Sequence, residues 1–203
     1  MVAYSLYVEG GGKGVLRRFC ARGFSMFLRK AGLEGCMPRV YACGSRLDAY
    51  KNFIIALRQG QNAFLLVDSE GPIPEQCSSP WEYLSNRVGD AWECPLGAND
   101  EHCHLMVQMM ESWFFADKET LENVLNKLPA KLGTKIGQIE SLSKDEISRC
   151  LGSLGYDKGR HSFKILERTD PQKVMQASPW AKRFVDTLLK TANLKAAKGA
   201  RHS

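Results

Sequence analysis

Residues 63–72 read Ala63-Phe64-Leu65-Leu66-Val67-Asp68-Ser69-Glu70-Gly71-Pro72. Five apolar residues run together and stop abruptly at two acids, a glycine and a proline. A short, unbroken apolar run bounded by turn residues predicts a strand buried on both faces, as in a parallel sheet. Upstream, Leu47, Tyr50, Ile54 and Leu57 recur at helical spacing and are closed by Gly60, which predicts a helix feeding that strand. Residues 39–43 before it read as another strand. Further upstream, Ala3-Tyr4-Ser5-Leu6-Tyr7-Val8 predicts a first strand, and Leu16, Phe19, Cys20, Gly23 and Phe27 predict an amphipathic helix over about 15–31, with Arg17, Arg18, Arg22 and Arg29 between them. Strand, helix, strand, helix, strand is the order of right-handed parallel crossover units. The expected class is therefore α/β, a Rossmann-like, mainly parallel central sheet flanked by helices.

Downstream the pattern loosens. Residues 71–103 hold four of the eight prolines, with Trp81, Trp92 and a short helical patch near 80–87, and read as an insertion or long functional loop. His104-Leu105-Met106-Val107-Gln108 predicts a fourth strand, and helices are expected near 117–127 and 144–151. Ser143 followed by Glu146 is a capping-box signal. Gly155 to His161 reads as a polar loop. Ser178-Pro179 opens a last helix with an N-cap and a first-turn proline, its face marked by Trp180, Phe184, Leu188 and Ala192. Residues 195–203 are expected to form a flexible tail. One domain over 1–203 suits a chain of 203 residues, 44% of them apolar.

Composition narrows the functional classes. No apolar run approaches the roughly 20 residues of a membrane span, and the N-terminus lacks the features of a secretory leader. The seven cysteines are odd in number and irregularly spaced, as expected of reduced thiols in a cytoplasmic protein. Cys94, His102, Cys103 and His104 lack the second paired motif of a zinc site. The net charge of +6 permits a polyanionic partner without demanding one.

The chemistry-bearing pattern is an arrangement of acids. Glu9 ends the first strand; Asp68 and Glu70 end the third. Ligands of an open parallel sheet bind outside the carboxyl ends of its strands. If the first and third strands are neighbours, the three carboxylates converge, with Asp68 and Glu70 on one side by strand alternation. Hard oxygen ligands suit Mg2+ or Mn2+. The plain structural alternative is a turn at Asp68 and a surface acid at residue 9. Gly10, Gly11, Gly12 and Lys13 before a helix could present N–H groups to a phosphate, or could simply make a tight turn. Lys158, Arg160, His161 and Lys164 form a basic cluster suited to phosphate or to a solvated loop. Glu111, before Trp113-Phe114-Phe115, is a further candidate ligand or a helix cap, and His104 a structural histidine.

Val8-Glu9-Gly10 after an N-terminal strand, with Asp68-Ser69-Glu70-Gly71-Pro72 after a later one, resembles the Toprim domain of topoisomerases, primases and overcoming-lysogenization-defect (OLD) nucleases. That pattern is a glutamate after the first strand and Asp-x-Asp after the third. The segments His104–Asp117 (HLMVQMMESWFFAD) and Ser178–Phe184 (SPWAKRF) are similar to a bacterial family of unknown function with a Toprim-like core. The resemblance implies that Glu9 and Asp68 are metal ligands or acid/base groups. Glu70 stands where the second aspartate is expected. Lys158 or Lys164 would fill the place of an assisting lysine. It further implies a metal-dependent nuclease acting on DNA or RNA in anti-phage defence, with an ABC-type ATPase as partner. The alternative is a non-catalytic docking or sensing subunit of such an ATPase. Oligomeric state stays open.

Overall fold

The computed structural model describes residues 4–127 and 139–199, with side chains through residue 194. Four parallel strands, β1 (Ser5–Val8), β2 (Arg39–Ala42), β3 (Ala63–Asp68) and β4 (Cys103–Met106), form one sheet in the order β2-β1-β3-β4. Val8 pairs with Ala42 on one side and Leu66 on the other, and Asp68 pairs with Met106. The carboxyl ends of β1 and β3 are thus adjacent at the centre of the sheet. β3 is buried along its whole length, the environment its unbroken apolar run demands.

Helices cover both faces. On one lie α1 (Val15–Leu28), α6 (Lys158–Arg168) and α8 (Pro179–Gly199), around Leu6, Leu66, Phe24, Phe27, Trp113 and Phe184. On the other lies α2 (Arg46–Arg58), with Phe53, Leu65, Val67, Trp81 and Trp92. Residues 71–103, expected to be an insertion or long loop, carry α3 (Pro80–Asn86), bury both tryptophans against this second face and end in β4 at Cys103. The remaining helices are α4 (Lys118–Leu125), α5 (Lys144–Ser153) and α7 (Pro171–Ala177). The capping box at Ser143 and Glu146 opens α5.

Two expectations are corrected. Residues 158–161 are not loop: Asp157 caps α6 by accepting from the N–H of Arg160 at 2.7 Å, so the basic cluster lies on a helix. The buried face of α2 is Ala49, Phe53 and Ala56, while Leu47 is exposed. The helix α8 continues through Gly199, and residues 200–203 lie outside the described residues. Among the described residues no helix is long and apolar enough to cross a membrane.

Candidate metal centre

Glu9 follows β1 directly. Its own N–H continues the ladder to Leu66 O at 3.0 Å, and its Oε2 accepts from the N–H of Asp68 at 3.0 Å. Asp68 ends β3, and its Oδ1 accepts from the N–H of Met110 at 2.8 Å. Glu70 is not on the strand, so strand alternation does not align it with Asp68. It lies in the turn beyond, with φ 67°, and its N–H is tied to Gln108 O at 2.9 Å. That left-handed turn brings its carboxylate back to the others. One ligand oxygen from each of Glu9, Asp68 and Glu70 falls within 4.8 Å of the other two, the only such group of acids, histidines and cysteines among the described residues. The Cys94–His104 stretch makes no such group.

The charges are balanced from three directions. Arg46, the first residue of α2, donates to Asp68 O at 2.7 Å and lies 3.9 Å from Glu9 Oε2. Asp90 holds it through Nε at 3.0 Å and Nη2 at 2.6 Å, and Asp90 also receives Arg87 at 2.8 Å. Lys144, from the first turn of α5, pairs with Glu70. Lys158, the first residue of α6, places Nζ 3.4 Å from Oε1 of Glu111, which also accepts from the Tyr156 hydroxyl at 3.0 Å. Glu111 sits in a 3-10 turn (Met110–Ala116), is only 1% exposed, and its Oε2 has no partner. It borders the three-acid group as the anchor of Lys158.

The titration behaviour follows. Burial raises the Asp68 carboxyl well above its ordinary range, and Glu9 and Glu111 push it further. Burial also raises Glu9, against the Asp68 N–H and Arg46. Glu70 is lowered: burial opposes ionisation, but the bond to Lys144 outweighs it. Burial works against the Lys158 ammonium, yet Glu111, Asp68 and Glu9 together hold it above its usual range. Buried, mutually repelling carboxylates are relieved by a cation among them. On one octahedral Mg2+, with ligands at about 2.1 Å, neighbouring ligands stand about 3 Å apart and opposite ones about 4.2 Å, so the three oxygens, within 4.8 Å of one another, would draw closer around a bound ion. The donor set of hard oxygens therefore fits a divalent metal.

The other predicted residues divide. Lys164 is an exposed residue of α6, lining a cavity with Phe19 and Arg22, and is not gathered with the acids. Arg160 lines the same cavity; His161 Nδ1 accepts from the N–H of Asp157 at 2.9 Å. The N–H of Gly10 is spent on Gly44 O at 2.9 Å, so it is not free for phosphate. A Cβ at Gly11 would stand 2.8 Å from that of Cys20, so this glycine serves close packing against α1. Lys13 is exposed. Sequence reasoning missed Arg46, Asp90, Lys144 and Tyr156. The position of Arg46, directly after Gly44-Ser45 at the end of β2, was the available signal, since that strand end flanks the one bearing Glu9.

Fold and site together define an α/β protein whose acidic residues meet at the carboxyl edge of a parallel sheet, in a geometry that could hold a metal ion. The chain belongs to the family described as Domain of unknown function (DUF4276), whose model matches residues 8–189. No curated protein and no solved structure matches it.

Proposed function

We propose that the protein is a Mg2+- or Mn2+-dependent nuclease of Toprim type that hydrolyses phosphodiester bonds, working with an ABC-type ATPase partner in the bacterial cytoplasm against phage. The observation that carries this reading is the meeting of Glu9, Asp68 and Glu70 with a protonated Lys158 beside them. A divalent ion held by the three carboxylates would supply Lewis-acid stabilisation and an activated water. Glu9 and Asp68 would hold it through the oxygens not engaged by chain N–H groups. Lys158, oriented by Glu111, would offer its ammonium to the charge that develops on the scissile phosphate. Arg46 fixes the Asp68 backbone while this happens.

The test is a cleavage assay on single- and double-stranded DNA and RNA with added Mg2+ or Mn2+. Cleavage is expected from the wild type, and its loss in Glu9→Gln and Asp68→Asn. Metal-dependent cleavage retained in both purified variants would refute the assignment. One observation favours a second reading, a non-catalytic docking or sensing subunit. Lys144 and Arg46 already partly neutralise Glu70 and Glu9. In that case neither cation would bind or stabilise the chain.

A further inference from the structure

The sequence predicts Phe19 on the buried stripe of α1, but the ring is 50% exposed. It stands among Arg17, Arg18 and Arg22 on a helix that has no acidic residue. Opposite runs α6, and the two helices approach closely because Gly23 leaves room: a Cβ there would meet Phe163 O at 3.1 Å. Between them lies a groove of about 320 Å³, lined by Phe19, Arg22, Arg160, Phe163, Lys164 and Arg168. The lining acid, Glu167, is committed to Arg22 at 2.8 Å. Among the described residues the side chains of Arg160, Lys164 and Arg168 form no ion pair.

One end of the groove lies close to the acidic residues. Lys158, beside Glu111, immediately precedes the groove residue Gly159. The ring of Phe163 would lie 3.8 Å from a Cβ at Gly10, the neighbour of Glu9. A strip of uncompensated cations with an exposed aromatic ring has the chemistry of a single-strand platform: cations follow the phosphates and the ring stacks a base.

Resting on the nuclease reading for its link to catalysis, we infer that the α1–α6 groove binds a single-stranded polynucleotide and leads it to the acidic centre. Arg160, Lys164 and Arg168 take the phosphates, and Phe19 stacks a base. Duplex DNA, too wide for a groove of this size, is not the preferred ligand.

The probe is a fluorescently labelled dT15 or rU15 oligonucleotide, titrated with the full chain in EDTA by anisotropy at several salt concentrations. The wild type should bind single strands more tightly than a duplex of equal length. Arg160→Glu combined with Lys164→Glu should weaken binding at least tenfold and lower the salt slope by about 1.4, the loss expected for two phosphate contacts to single strands. Phe19→Ala should weaken it by about tenfold with the salt slope unchanged. All these positions are exposed, and unchanged melting temperatures will show the fold intact. Wild-type-like binding by the double variant, tighter binding of duplex, or no binding by the wild type would each overturn the groove assignment. Groove-dependent binding without cleavage in any metal would leave the groove standing while refuting the nuclease reading.

Discussion

The side chain of Glu9 accepts a hydrogen bond from the backbone N–H of Asp68 at 3.0 Å, across 59 positions of sequence. This bond joins the ends of the two central strands. It also sets one carboxylate against another at short range, so the chain holds charge together that would otherwise spread apart. Burial and mutual repulsion raise both carboxyls. The clamps around them explain how the folded state tolerates this.

Arg46 is the principal clamp. Its guanidinium is forked onto Asp90, which is nearly buried, while Nη1 reaches the carbonyl of Asp68. Without Arg46, Asp90 keeps its pair with Arg87, so the loss is that of the charged hydrogen bonds, about 1.5–3 kcal/mol. Arg46→Ala should therefore lower unfolding stability by about 2 kcal/mol in denaturant titrations. Arg46→Lys should rescue little, because a lysine cannot bond two oxygens of Asp90 and the carbonyl together. Full stability in Arg46→Lys would show that the fork is dispensable.

Glu70 holds a left-handed backbone conformation at φ 67°. For a side chain other than glycine or asparagine this costs about 1 kcal/mol. Glu70→Asn should leave stability unchanged or raise it by about 0.5–1 kcal/mol, even though the pair with Lys144 is lost. Affinity for Mn2+, measured by calorimetry, should fall at least tenfold. A loss of stability with unchanged affinity would mean that Glu70 is a structural residue.

Lys158 and Lys164 separate by geometry. Only the former faces Glu111. Lys158→Met should reduce kcat by at least about 100-fold, the scale of a lost electrostatic partner of the reacting group, with cation binding kept. Lys164→Met should act on KM and leave kcat within a factor of about two. Equal effects of both on kcat would refute the distinct roles.

His104 is one source of the fold's acid sensitivity. It is fully buried in β4 against Phe64 and Phe184; Nε2 lies 3.0 Å from Glu101 O, and Nδ1 has no partner. Burial, reinforced by Arg183, lowers its pKa from 6.5 to about 3. Between those values the unfolded chain binds a proton that the folded chain does not. Stability from this residue is therefore complete above about pH 6.5 and is lost as pH falls toward 3. Urea midpoints should drop from pH 6.5 to pH 4, and His104→Gln should flatten that slope. Equal slopes in the two proteins would remove His104 as the cause.

Much of this architecture was legible because the central strands are short, apolar and sharply bounded. The run Ala63–Val67 declared a doubly buried strand, and the acids at its end declared the sheet edge where ligands bind. Glu9 and Asp68 were found because local patterning alone put them at strand ends. The α2 stripe was read in part: Tyr50, Ile54 and Leu57 do pack against the core, but the fully buried residues are Ala49, Phe53 and Ala56, which fit close against the sheet, while Leu47 lies on the outer side. Phe19 misled for the converse reason: an apolar residue at helical spacing reads as core, whether or not another element covers it. Arg46, Asp90 and Lys144 act through tertiary contacts with partners 22 to 74 positions away, which no local pattern records. The role of Glu111 needed the chain to place Tyr156 and Lys158 over it.

Titration of the metal-free full chain with Mn2+ and Mg2+ by isothermal calorimetry, with Asp68→Asn alongside, tests the metal centre most directly. The account predicts saturable binding of one or more ions to the wild type, a rise in melting temperature with added cation, and loss of both in the variant. No heat of binding and no thermal shift in the wild type, or the same response in Asp68→Asn, would contradict it.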